Sequence, residues 1–223
     1  MDIKANLESV KKTFKNPNCL LVAVSKTKPI SDLKEAYEAG IRDFGENKVQ
    51  ELQEKQPQLP EDIRWHMIGH LQRNKVKYIA PYVHLIHGVD SFKLLKEINK
   101  QGKKIDRKIP VLLQMHIAEE DSKFGFDRKE MDEMLADPDF TELTHVAIKG
   151  LMGMATFTEN EEQIRREFQG LKNHFEELKT NPLPDFMKME ILSMGMSGDY
   201  LIAQEEGSTM VRIGSAIFGA RNY

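Results

Sequence analysis

The sequence predicts a single closed (β/α)8 barrel of the TIM type, an α/β fold with an extra N-terminal helix. Three observations carry that prediction. Apolar runs of strand length recur eight times along 223 residues. Helical patterns lie between them, the signature of parallel βαβ units. No linker, low-complexity tract or charge block divides the chain, so residues 1–223 read as one domain. Single barrels commonly run to about 200–250 residues. An open doubly wound sheet is the alternative that the same alternation allows.

The elements follow in order. Ile3 to Phe14 is an amphipathic first helix. The first strand is Cys19–Lys26, six apolar residues followed by Ser25 and Lys26. "SDLKEAYEAG" is a helix with Ser31 placed to cap it and Gly40 to stop it. Asp43–Glu46 is the second strand, short and polar. "NKVQELQEKQ" spaces Val49 and Leu52 as a helix does. Strands at Arg64–Ile68 and Val83–Val89 follow, then the helix "SFKLLKEINKQG" between Ser91 and Gly102. Val111–Ile117 is strand five, "DRKEMDEMLAD" a helix, and Ile148–Met154 strand six. "NEEQIRREFQGLKNHFEELKT" puts Ile164, Phe168, Leu171, Phe175 and Leu178 on one stripe. "TNPLPDF" is a loop, and Met189–Met194 and Val211–Phe218 complete the strands.

Composition narrows the function classes. With 32 basic and 35 acidic residues the formal charge is -3, and there is no concentrated basic face for nucleic acid. No apolar run approaches the roughly 18 residues of a membrane helix, and the charged start "MDIKANLESVKK" has no secretory signal pattern. The one cysteine, Cys19, reads as a small buried hydrophobe. Together these features point to a cytoplasmic protein without a membrane or nucleic-acid partner.

Barrel chemistry gathers where strands end and helices begin. Lys26 falls there, with Lys28 two residues on. A lysine amine has a pKa near ~10.4 and becomes a nucleophile toward carbonyls when desolvation or a nearby cation lowers it. The bland reading of Lys26 is a solvated strand end. At the other end of the chain, "LSMGMSGDYLIAQEEG" and "STMVRIGSAIFGAR" place Ser197, Gly198, Gly214 and Ser215 after strands seven and eight. Barrels often hold a phosphate there. The competing reading is a helix cap at Ser197 and tight packing at Gly214. A reactive lysine and a phosphate site on one rim suit a phosphorylated aldehyde, either a sugar phosphate or pyridoxal 5'-phosphate. Arg212 sits within an apolar strand and needs a partner. It is read either as half of an ion pair or as a donor aimed at the mouth. Facing a pyridine nitrogen, it would donate and leave that nitrogen unprotonated, a poorer electron sink. His66 and His70 are four apart, but Gly69 separates strand from helix between them, so no metal is expected. His84 and His87 read as structural, and Lys123 as an exposed loop lysine that could present a second amine.

These segments together resemble the pyridoxal-phosphate homeostasis proteins, single-domain relatives of the alanine racemase N-terminal barrel. The text that carries the resemblance is "VAVSKTKP", "FGENKVQE", "HMIGHLQRNKVKYI", "VDSFKLLKEI", "SKFGF", "LSMGMSGDY" and "STMVRIGSAIFGAR". The resemblance implies pyridoxal phosphate held as an aldimine on Lys26. It implies a phosphate cradle from Ser197, Gly214 and Ser215, joined by the backbone of Gly198. Arg212 would face the pyridine nitrogen, Asn47 and Gly69 would line the ring side, and Met67 and Met194 would neighbour it. The implied role is buffering or delivering the cofactor, with apo-enzymes as recipients, in vitamin B6 and amino-acid homeostasis. Two departures stand out: His116 where relatives often carry Asn, and "LMGMATF" in place of an apolar-Pro pattern.

Two other activities compete with that role. One is an amino-acid racemase of low activity. Racemisation needs acid–base groups on both faces of the substrate carbon. In alanine racemase the second base is a tyrosine from a further domain, which a chain ending at Tyr223 would lack, so negligible turnover and a monomer are expected. The other is a lysine-dependent aldolase acting on sugar phosphates, which would be colourless where bound pyridoxal phosphate is yellow.

Overall fold

The computed structural model describes residues 2–120 and 124–220. Helix α1 (Ile3–Lys12) leads into β1 (Leu20–Val24), α2 (Ile30–Glu38), β2 (Asp43–Glu46), α3 (Val49–Lys55), β3 (Arg64–Met67), α4 (Val76–Ile79) and β4 (Leu85–Val89). Then come α5 (Phe92–Lys104), β5 (Ile109–Gln114), α6 (Arg128–Ala136), α7 (Pro138–Thr141) and β6 (Val146–Met152). The chain continues through α8 (Glu161–Thr180), β7 (Met187–Ser193), α9 (Tyr200–Glu205), β8 (Met210–Ile213) and α10 (Ser215–Phe218). The eight strands close in sequence order into a barrel. Closure is parallel, with Leu20 to Ala23 of β1 facing Met210 to Ile213 of β8. The open-sheet alternative is thereby excluded.

Period-two alternation divides the strand residues between two cores. Val22, Leu85, Leu112, Met152 and Met210 fill the barrel interior. A larger layer lies between barrel and helices, where α8 buries Ile164, Phe168, Leu171, Phe175 and Leu178. Each such side chain contributes about 1.5–3 kcal/mol of burial. No helix among the described residues is long and apolar enough to cross a membrane.

Several boundaries differ from expectation. β5 ends at Gln114 rather than Ile117, and β6 at Met152 rather than Met154. Their apolar continuations belong to the loops at the barrel mouth. The run from Val211 to Phe218 is not one strand, because it leaves the sheet at Gly214 and finishes as α10. Ser31 lies inside α2, whose N-cap is Pro29, whereas Gly40 follows that helix at φ +94°, as a stop requires. Gly102 does not end α5; a Cβ there would meet Arg107 O at 2.6 Å, so it serves close packing.

Candidate functional site

A cavity of about 590 Å³ opens where the strands end and the following loops begin. Lys26, Asn47, Gly69, Ser197, Gly198, Arg212, Gly214 and Ser215 all line it. Groups from β1 and β8, almost the full chain apart, thus share one space.

The loop carrying Lys26 is pinned from below. Ser25 is fully buried, and its hydroxyl donates to Glu46 Oε1 at 2.6 Å. Lys55 Nζ donates to Ser25 O at 2.9 Å, to Glu46 Oε1 at 2.8 Å and to Glu51 Oε2 at 2.9 Å. The Thr27 N–H donates to Glu51 Oε2 at 2.7 Å, and Thr27 sits at φ +64°. That region is costly for a β-branched residue, about 1–3 kcal/mol, and persists only where the surroundings impose it. Burial pushes the Glu46 carboxyl up to about 7, with Lys55 and Ser25 opposing. Lys28 also lines the cavity, and its Nζ donates to Phe218 O at 2.7 Å.

Arg212 is 3% exposed. One guanidinium nitrogen donates to Ser193 O at 3.0 Å and Ser193 Oγ at 2.6 Å, and the other to Gly153 O at 3.1 Å. Burial draws its pKa down to about 10, with Asp199 opposing, so it remains a cation at neutral pH. The ion-pair reading gives way to a buried cation held by neutral oxygens. The loops after β7 and β8 are tied directly: Gly214 N–H donates to Ser197 Oγ at 3.2 Å. Ser197 is therefore not a helix cap; α9 starts at Tyr200 with Asp199 before it. A Cβ built on Gly198 meets nothing within 4 Å, so this part of the wall borders open space. At Gly69 a Cβ would lie 2.5 Å from Asn47 O, so only glycine lets the loops after β2 and β3 touch.

Met67 and Met194 do not line the cavity. Both are buried in the layer between barrel and helices. The reason is alternation: Ile68 reaches the cavity, so its neighbour Met67 faces out, and Met194 follows the inward Ser193. Lys123 lies outside the described residues. His116 stays in its loop, its Nε2 3.0 Å from Glu120 O.

Sequence reasoning missed part of the wall. Gln114 ends β5 facing the cavity and donates to Phe124 O at 2.8 Å. Phe124 stacks on His70, with ring centroids 4.2 Å apart, and His70 Nδ1 lies 2.9 Å from Asp90. Phe157, 96% exposed, stands at the rim. The "SKFGF" segment held a signal for Phe124, and the departure "LMGMATF" ends at Phe157. Donor atoms of Asp43, His66 and His84 cluster within 4.8 Å of one another, a group the sequence did not reveal. Arg64 already holds both oxygens of Asp43, at 2.7 and 2.5 Å, His66 Nε2 lies 3.0 Å from Asp43 Oδ1, and the His84 ring packs on His66.

The family model for the alanine racemase N-terminal domain matches residues 1–222. The chain belongs to that family. Among its relatives is the pyridoxal phosphate homeostasis protein of Pasteurella multocida, 39% identical, with 99% of this chain and 95% of that protein covered. Among solved structures is PipY of Synechococcus elongatus, 33% identical, covering 97% of this chain and 100% of PipY. Its TM-score is 0.90 without PLP and 0.87 with PLP bound. Alanine racemase from Bartonella henselae shares the fold at a TM-score of 0.76 and 18% identity; 98% of this chain matches 58% of that enzyme.

Proposed function

We propose that this protein binds pyridoxal 5'-phosphate in the cavity, covalently through Lys26, and buffers or delivers it within vitamin B6 and amino-acid homeostasis. The observation that carries the reading is the convergence of Lys26, Arg212 and the joined Ser197–Gly214 loops on one space. The residues fit the group. A buried guanidinium bonded to neutral oxygens suits a ring nitrogen, and the hydroxyl-rich turns border open space where a phosphate needs room. The bound cofactor supplies an electrophilic aldehyde. Lys26 would supply the amine that holds it reversibly, which is what a store needs. Arg212 donates to the pyridine nitrogen and holds it unprotonated, which disfavours carbanion chemistry. Ser197, Gly214 and Ser215 form the phosphate cradle, joined by the backbone of Gly198, while Gly69 and Asn47 flank the ring. The recipients are apo-enzymes, the protein acts as a monomer, and its compartment is the cytoplasm.

The test is direct. The purified protein is recorded in the visible range, reduced with borohydride and digested. A yellow protein with a phosphopyridoxyl adduct on Lys26, lost in Lys26→Ala, is expected. A colourless protein with no adduct, or an adduct mainly on Lys123, overturns the proposal.

A further inference from the structure

Inside the barrel, beside its apolar filling, polar side chains form a continuous column. Ser193 Oγ, which accepts from Arg212 at 2.6 Å, lies 3.3 Å from His87 Nδ1. His87 Nε2 is 2.9 Å from His66 Nδ1, and His66 Nε2 is 3.0 Å from Asp43 Oδ1. Arg64 closes the column at the foot of the barrel, bidentate on Asp43. Ser193, His87 and His66 are fully buried, and Asp43 is 3% exposed. These residues come from β2, β3, β4, β7 and β8, and meet only because the barrel is closed.

The two ends fix the direction of every bond between them. Arginine only donates, and an ionised carboxylate only accepts. Asp43 is ionised: burial raises its pKa, but hydrogen bonds from Arg64 and His66 outweigh this and bring it to about 2. His66 therefore carries its hydrogen on Nε2. A neutral His66 then accepts at Nδ1, so His87 also carries its hydrogen on Nε2. His87 accepts at Nδ1, so the Ser193 hydroxyl donates there and turns its lone pairs to Arg212. Protonated imidazoles would break this order and bury further cations. His66 faces Asp43, His87 and His84, with Arg64 nearby; His87 faces His66, Ser193 and Arg212, with His84 nearby. Burial pushes both rings below the ordinary histidine value, His87 well below it.

We propose that Ser193, His87, His66 and Asp43 form a one-way hydrogen-bond column that positions Arg212 by fixing the direction of every bond leading to its guanidinium. Chains of this kind polarise one another in a low-dielectric interior. The consequence for cofactor binding rests on the function proposed above; the column itself does not.

The test has two arms. In the first, the full chain labelled with ¹⁵N-histidine is examined by NMR from pH 7 to 8. His66 and His87 should both show neutral rings with hydrogen on Nε2 throughout. An Nδ1–H tautomer or an imidazolium at either residue overturns the column. This arm stands whether or not pyridoxal phosphate binds. In the second, the dissociation constant of pyridoxal phosphate is measured for Asp43→Asn and Ser193→Ala, with native far-UV circular dichroism as the entry condition. Ser193→Ala should weaken binding about tenfold and Asp43→Asn at least fivefold, although Asp43 lines no part of the cavity. An Asp43→Asn protein binding within twofold of wild type overturns the positioning role. If either variant fails to fold, the tautomer measurement on the unmutated chain still decides.

Discussion

Replacing Lys55 with Met tests the network beneath Lys26 and has a calculable pH signature. Lys55 is 5% exposed and Glu46 fully buried. Methionine nearly matches the lysine stem, so the loss is chiefly the ammonium and its bonds to Ser25, Glu46 and Glu51. Stranding a charged partner in the interior costs about 3–5 kcal/mol. Glu46 can escape part of that cost by taking up a proton. Its carboxyl is already pushed up to about 7 by burial, against an ordinary 4.5, with Lys55 opposing. Without the ammonium it moves above 7. A raised folded pKa gives stability that is complete below pH 4.5 and lost as the pH climbs to the folded value. Within that window each pH unit costs about 1.4 kcal/mol. In the wild type the window closes near pH 7; in Lys55→Met it extends upward. Where Glu46 is protonated in both proteins, the gap still contains the lost bonds from the ammonium to Ser25 O and to ionised Glu51, about 1.5–3 kcal/mol each. Between pH 7 and 8 it should widen by about 1 kcal/mol, because the wild-type carboxyl is still half protonated at pH 7. Groups that titrate alike in both proteins cancel, and Glu51, held below its ordinary value, titrates beneath this range. Urea unfolding followed by far-UV circular dichroism at pH 5.5, 7 and 8 measures the gap. An equal gap at pH 5.5 and 8 refutes a buried, proton-accepting Glu46.

Gly69→Ala forces a methyl against the Asn47 backbone and should cost about 1–3 kcal/mol in urea unfolding; a neutral substitution would show that the two loops separate freely. Asp43, held to about 2 against an ordinary 3.8, contributes about 2.4 kcal/mol above pH 3.8 that is lost as the pH falls toward 2. Asp43→Asn should therefore flatten the acid limb of the stability profile, and an unchanged limb contradicts the pairing. Ser197→Ala with Ser215→Ala removes bonds to a charged group worth about 1.5–3 kcal/mol each, so pyridoxal phosphate retention on a desalting column should fall more than tenfold. Retention equal to wild type would place the phosphate elsewhere.

Much of this architecture was legible because α/β barrels repeat one local pattern. The stripe from Ile164 to Leu178 and the helix start at Ser91 appear in the structure as the sequence predicts. Strand ends were less legible, for a physical reason. Residues such as Ile117 and Met154 are apolar because they approach the cavity mouth or pack beneath it, and nothing local distinguishes that from a strand continuing into the core. Met67 and Met194 illustrate the opposite error. Motif proximity placed them near the ring, yet the alternation of β3 and β7 turns them away. Register by one residue outweighs nearness in sequence.

The polar column was invisible for a different reason. Its members lie on separate strands, and each alone reads as a tolerated polar residue. His66 and His70, the pair that sequence spacing suggested, end in different environments: one sealed among Asp43 and His87, the other stacked on Phe124 at the cavity wall. What selects such a column is the need of the site itself. Arg212 is held by the neutral oxygens of Ser193 and Gly153, with the Asp199 carboxylate acting on it from farther off. The Asp43 carboxylate, paired with Arg64 at the foot of the barrel, reaches Arg212 only through two imidazoles and a hydroxyl, so it fixes the direction of those bonds rather than the charge. The barrel interior is thus a structural part of the site, and its polar residues are explained by the group they hold rather than by the strands they occupy.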